Sequence, residues 1–235
     1  MQARGSRGEV LLTWVSTDMI SGLMVSGFEQ RPASNYLYAC AKLRRPMKLD
    51  QADLFAVNLM PAGFRYAPEF IDLAEEARLV AIFARLPFKE FEFHGFRGKR
   101  RVVWYGWHYD FNGGGLERAD PMPPFLLPLR DRAAGFAGLP PDQLQQALIT
   151  EYRAGASIGW HRDRANFEDV IGISLLSACN FRMRRKAGEK WERVSQRLER
   201  RSAYLMRGPS RNQWEHSIPA QGALRYSVTF RSLRD

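Results

Sequence analysis

The 235-residue chain has only four histidines, and two of them, His161 and His216, stand where they could bind a metal. His161-Arg162-Asp163 falls in a stretch predicted to be a strand, over 158–163. Residues i and i+2 of a strand share a face, so the His161 imidazole and the Asp163 carboxylate can aim at one point. A third ligand must come from a distant strand, and His216 in Trp214-Glu215-His216-Ser217-Ile218 is the candidate. Two histidines and one carboxylate on one side of a metal leave positions open, the facial arrangement of non-heme Fe(II) oxygenases. Taken alone, His-x-Asp also reads as a surface histidine beside an acidic turn. His216 alone also reads as a strand histidine bonded to backbone.

The C-terminal run Arg225-Tyr226-Ser227-Val228-Thr229-Phe230-Arg231 alternates cleanly. Tyr226, Val228 and Phe230 face one way, fit for a core, and Arg225, Ser227, Thr229 and Arg231 face the other. The polar row has cationic ends roughly 20 Å apart at ~3.3 Å per residue. Arginine's planar fork binds carboxylates bidentately, so a small dicarboxylate could lie over Ser227 and Thr229 if both side chains lean inward. The other reading is an exposed strand with charged gatekeepers.

In their order and spacing, His161, Asp163, His216, Arg225 and Arg231 resemble the AlkB family of Fe(II)/2-oxoglutarate dioxygenases. The closing Arg-Tyr-Ser-Val-Thr-Phe-Arg is similar to that family's final strand, and Thr150-Glu151-Tyr152-Arg153-Ala154-Gly155 resembles its Asn-x-Tyr-x-x-Gly segment. The resemblance runs from about residue 51 to the end and is closest from Leu148 onward. It implies that His161, Asp163 and His216 bind Fe(II), and that Arg225 grips the distal carboxylate of 2-oxoglutarate. Arg231 would lie near the C1 end of the cosubstrate and near Asp163, with Tyr152, Thr150 and Ser227 completing its pocket. The implied reaction uses O2 and couples decarboxylation of 2-oxoglutarate to hydroxylation of an N-methyl group, releasing succinate, CO2 and formaldehyde. The implied partner is alkylated DNA or RNA. Two departures stand out. The family's Asn is Thr150 here, and the acid that many repair members carry just after His-x-Asp is replaced by Arg164-Ala165-Asn166-Phe167, with acids only at Glu168 and Asp169. The second departure keeps a tRNA base or a methylated protein side chain open as substrate. A catalytically inactive nucleic-acid-binding module is a third possibility, against which intact His161, Asp163, His216 and Arg225 argue.

Substrate contacts are expected from the aromatic run Trp104-Tyr105-Gly106-Trp107-His108-Tyr109, where Tyr105, Trp107 or Tyr109 could stack an unpaired base. His108 reads either as a substrate contact or as a satisfied structural histidine. Arg162 and the pair Arg182 and Arg184, alternating with Phe181 and Met183, are candidate phosphate contacts.

These residues need positioning. Apolar spacing predicts a helix over 69–86 closed by Pro87, two short strands (91–93 and 102–107) around a basic turn Arg97–Arg101, and a helix over 125–136. From 144 onward, eight short runs about ten residues apart predict strands at 148–152, 158–163, 170–176, 180–184, 192–198, 203–207, 215–218 and 224–231. The expected class is α+β: a double-stranded β-helix (jelly roll) at about 147–233, flanking helices, and a nucleotide-recognition-lid region at about 91–120. The dioxygenase domain is expected over 51–235 and a poorly defined extension over 1–50. Lys+Arg minus Asp+Glu is 35 − 25 = +10, which favours a polyanionic partner. Two distant cysteines exclude a disulfide scaffold or a Cys-ligated zinc and point to a reducing cytoplasm. No ~18-residue apolar run exists to cross a membrane, Met1–Val15 makes a poor signal peptide, and a monomer is expected.

Overall fold

The computed structural model describes residues 60–93, 96–110, 113 and 115–234. The expected 1–50 extension lies outside them, as do lid positions 94, 95, 111, 112 and 114. In chain order come β1 (Phe64–Ala67), α1 (Leu73–Phe83), β2 (Lys89–Phe93), β3 (Phe96–Tyr105), β4 (Trp107–Asp110), β5 (Gly115–Arg118) and α2 (Leu127–Ala137). Then follow β6 (Leu144–Tyr152), β7 (Ile158–His161), β8 (Phe167–Leu175), β9 (Cys179–Ala187), β10 (Lys190–Leu198), β11 (Ala203–Met206), α3 (Pro209–Asn212), β12 (Glu215–Ile218) and β13 (Arg225–Leu233). Among the described residues the larger sheet has the order β1-β11-β8-β13-β6-β3-β2, the smaller β10-β9-β12-β7, and β4-β5 form a separate hairpin. The pairings are antiparallel. The protein is a jelly roll, mostly β with few helices.

Alternation along β13 sets the layers. Tyr226, Val228 and Phe230 join Ile149, Ile171, Ile173 and Leu175 in a core shared with Leu79 and Phe83 of α1 and Leu129 and Ala133 of α2. The helices therefore cover one face of the larger sheet. A second core, including Tyr152, Phe181, Met183, Tyr204, Met206 and Trp214, fills the space on the other face, against the smaller sheet. Every residue from Arg225 to Ser232 is buried, so β13 is a central strand and not an exposed one with gatekeepers. Tyr204 packs closely against Gly172, where an added Cβ would meet its ring at 2.3 Å.

Several expected boundaries move for local reasons. The first helix begins at Leu73 and not at 69, because Asp72 caps it by accepting from the Glu75 amide at 2.7 Å. The basic run is no turn. Residues 97–101 lie in β3, where Arg101 pairs with Glu90 of β2 and Glu151 of β6. Opposite charges on both sides of Arg101 favour a strand for a run that reads as a turn in isolation. The strand predicted over 102–107 breaks at Gly106, whose φ of 78° and 2.0 Å approach of a Cβ to the Gln145 carbonyl admit only glycine. Trp107 consequently starts β4. The strand predicted over 158–163 ends at His161, so Asp163 lies in the loop beyond it.

Candidate metal and cosubstrate centre

His161 closes β7 and His216 lies directly opposite it on β12. The two rings are 4.2 Å apart. Asp163 reaches the same point from the loop, and ligand-capable atoms of the three residues lie within 4.8 Å of one another. Strand alternation does not aim Asp163. Arg231 does, from β13, its Nε donating to Asp163 Oδ2 at 3.3 Å. His161 Nδ1 lies 2.9 Å from the Gly159 carbonyl. A carbonyl only accepts, so the Nδ1 carries a proton, and Nε2, 3.8 Å from Asp163 Oδ1, is the nitrogen that faces the other two residues.

Electrostatics suit ligation. Burial would raise the Asp163 pKa, but the charges of Arg231, His216, His161 and Arg211 hold its carboxyl well below the usual range. Burial, reinforced by His161, pushes His216 down to about 3, against the pull of Asp163. The site therefore offers one carboxylate and a neutral His216, the forms that bind a metal.

Behind this trio the polar row of β13 points into the space between the sheets. Arg225 is 1 % exposed. Its Nε donates to Ser174 Oγ at 3.1 Å, and its guanidinium lies over the Tyr152 ring at 4.9 Å. Its Nη1 is buried with no hydrogen-bond partner. A buried cationic donor left open is costly unless an anion completes it, so the cradle fits a carboxylate ligand. Thr150, Tyr152 and Ser227 are buried around the same row. Arg231, 9 % exposed, also donates from Nη1 to Gln146 Oε1 at 2.8 Å.

A cavity of about 1230 Å³ is lined by His161 and Asp163 of the trio. Thr150 and Arg231 line it too, as do Phe91, Arg100, Trp104, His108, Tyr109, Arg162 and Arg164. Arg100 lies over the Phe91 ring at 3.6 Å and Arg164 over Tyr109 at 4.6 Å. His108 stacks on Trp104 at 5.1 Å and holds Glu117 at 3.4 Å. Of the expected substrate contacts, Tyr109 and Arg162 therefore line the cavity, as does His108, while Tyr105, Trp107, Arg182 and Arg184 do not. Tyr105 packs against the helix-side core. Trp107 gives its carbonyl to Gln146 Nε2 at 3.0 Å, and its ring lies under Arg118. Arg182 and Arg184 sit on the opposite face of their sheet from His216, because His216 pairs with the intervening Met183.

Three supporting residues escaped the sequence reading. Ser174 holds Arg225, and Gln146 holds Arg231. Buried Arg211 donates to the carbonyls of Arg164 and Phe167 at 2.6 and 2.8 Å, pinning the loop that carries Asp163. Only Gln146 had a signal: it shares the two-residue period of Leu148, Thr150 and Tyr152.

Fold and site together define an iron-dependent oxygenase. The profile of the 2OG-Fe(II) oxygenase superfamily matches residues 85–231. The chain belongs to that superfamily, whose cofactors are Fe(II) and 2-oxoglutarate, and His161, Asp163 and His216 make its facial triad. The chain is AlkB-like. It is 27% identical over 207 residues to "Alkylated DNA repair protein ALKBH8 homolog" of Arabidopsis thaliana, covering 75% of this chain and 58% of that relative. It thus spans little more than half of that relative's length. Its fold is similar to that of OsALKBH1, with a TM-score of 0.58 at 17% identity over 74% of this chain and 98% of the other. It is also similar to a 2OG-Fe(II) oxygenase family oxidoreductase from Burkholderia pseudomallei, with a TM-score of 0.51 at 18% identity, over 74% of this chain and 86% of that one.

Proposed function

We propose that the protein oxidatively demethylates alkylated nucleic-acid bases, as in alkylation repair. The observation that carries the reading is the lining of the cavity that holds His161 and Asp163: Arg100 lies over Phe91, Arg164 lies over Tyr109, and His108 stacks on Trp104. A flipped base is held between such faces, and its flanking phosphates by the cations. Fe(II), with 2-oxoglutarate and O2, supplies the oxidation of an N-methyl carbon, after which the hydroxymethyl group leaves as formaldehyde and frees the amine. In this reading Arg225, with Tyr152, Thr150 and Ser227 beside it, holds one carboxylate of the cosubstrate, and Arg231 orients Asp163. Tyr109 and Arg162 contact the substrate. The curated plant relative carries alkylated DNA repair in its name, which supports the same substrate class.

A second reading keeps the chemistry but takes a tRNA base or a methylated protein side chain. Its support is Arg164-Ala165-Asn166, without an acid, directly after Asp163. Formaldehyde and succinate release, measured across alkylation-damaged DNA and RNA oligonucleotides, methylated tRNA and methylated peptides, separates the two. Product from a damaged oligonucleotide upholds the first. Product from tRNA or a peptide alone replaces it with the second.

A further inference from the structure

The outer face of the smaller sheet is not explained by the catalytic site. In the β9–β10 register Lys186 faces Trp191 and Arg184 faces Arg193, while β12 brings Glu215 beside Arg184 and Ser217 beside Arg182. Paired residues share a face. Arg184 lies between two indoles, 4.4 Å from the Trp160 centroid and 4.2 Å from that of Trp191. Arg182 also lies over Trp160, at 5.1 Å. Glu215 fixes Arg184 at 2.7 Å and Ser217 Oγ fixes Arg182 at 3.1 Å, so the stack is held rigid. Lys186 and Arg193 are exposed beside it, and Trp191 remains 37 % exposed. Blunting the β10 edge against aggregation requires charge alone and gives no reason to leave an indole in line with the cations. Exposed aromatic surface interleaved with cations is what a flexible polyanion with stackable bases requires. The face is not remote from the cavity, because Trp160 borders both.

We infer that this face is a second binding surface, taking an unpaired nucleic-acid strand whose bases stack on Trp191 and whose phosphates meet Lys186, Arg193 and the Arg182–Arg184 stack. The choice of occupant rests on the nucleic-acid reading above, with charge complementarity as its own support. The test is fluorescence anisotropy of the full chain with labelled, unmodified oligonucleotides, single-stranded as DNA and as RNA, and duplex. Charge reversal at Lys186 and Arg193 together should weaken single-strand binding by roughly tenfold or more and flatten its salt dependence. Trp191→Ala should weaken single-strand binding by roughly tenfold with the salt slope and duplex binding unchanged. Both variants should keep wild-type succinate formation in the absence of nucleic acid, which shows that the fold and the iron site are intact. The inference is overturned if single-strand affinity stays within about twofold of wild type in both variants. If binding falls as expected but no methylated oligonucleotide yields formaldehyde, the surface stands and the demethylation reading fails.

Discussion

Arg225 is the residue on which the cosubstrate pocket turns. Its Nη1 is buried and open while Ser174 and the Tyr152 ring fix the rest of the guanidinium. Leaving a carboxylate without such a partner costs ~3–5 kcal/mol. Arg225→Ala should therefore raise the 2-oxoglutarate concentration needed for half-maximal succinate formation by two orders of magnitude or more. Tyr152→Phe removes at most one hydrogen bond, worth about 1 kcal/mol, and should shift the same titration about fivefold. An unchanged 2-oxoglutarate dependence in Arg225→Ala would move the pocket elsewhere. The ligating trio was legible in residue types and order, because a facial triad is made of side chains named in the chain. Ser174, Gln146 and Arg211 were not. Their roles arise from pairings across 51, 85 and 47 residues, and a serine, glutamine or arginine in isolation announces no partner.

Among the elements, β6 and β8 transmit fold to site. Gly172 of β8 admits the Tyr204 ring, which is itself packed against Phe181 at 4.7 Å and Phe64 at 6.1 Å. Gly172→Ala places a methyl against the buried Tyr204 ring, which must shift, and should lower stability by about 1–3 kcal/mol, read from the denaturant midpoint. On β6, Glu151 accepts from Arg101 at 2.8 and 2.9 Å and from Arg153 at 2.8 Å. Burial opposes its ionisation, but these two guanidinium groups win and hold its pKa below the usual glutamate value. A depressed carboxylate contributes stability above its unfolded pKa and loses it as pH falls through the folded one. Wild type should thus exceed Glu151→Gln by about 1–3 kcal/mol at neutral pH, with the gap closing on acidification below the ordinary glutamate range. A gap independent of pH would contradict this. The same pairings explain why Arg97–Arg101 misread as a turn: its partners on β2 and β6 are invisible to a local window. Strand existence from β6 to β13 was legible because alternation and turn residues are local, whereas the end of β7 before Asp163 was not.

Across the whole molecule the two faces of the larger sheet divide the labour. Helices α1 and α2 bury the apolar face. The other face carries Arg225 and Arg231 toward a smaller sheet that brings His161 and His216 together. Among the described residues no helix is long and apolar enough to cross a membrane. With a net charge of +10, affinity for a nucleic-acid strand should fall steeply as salt rises, because each neutralised phosphate releases counterions. An affinity insensitive to salt between 50 and 200 mM would contradict that. The central claim is that one Fe(II) is held by His161, Asp163 and His216, with 2-oxoglutarate bound separately by Arg225. Anaerobic calorimetry of the full chain tests it most directly, with Fe(II) and then 2-oxoglutarate titrated into wild type, His216→Ala and Arg225→Ala. The account predicts one Fe(II) per chain for wild type and Arg225→Ala, none for His216→Ala, and 2-oxoglutarate binding lost in Arg225→Ala while its iron is retained. Unchanged Fe(II) stoichiometry and affinity in His216→Ala would contradict it.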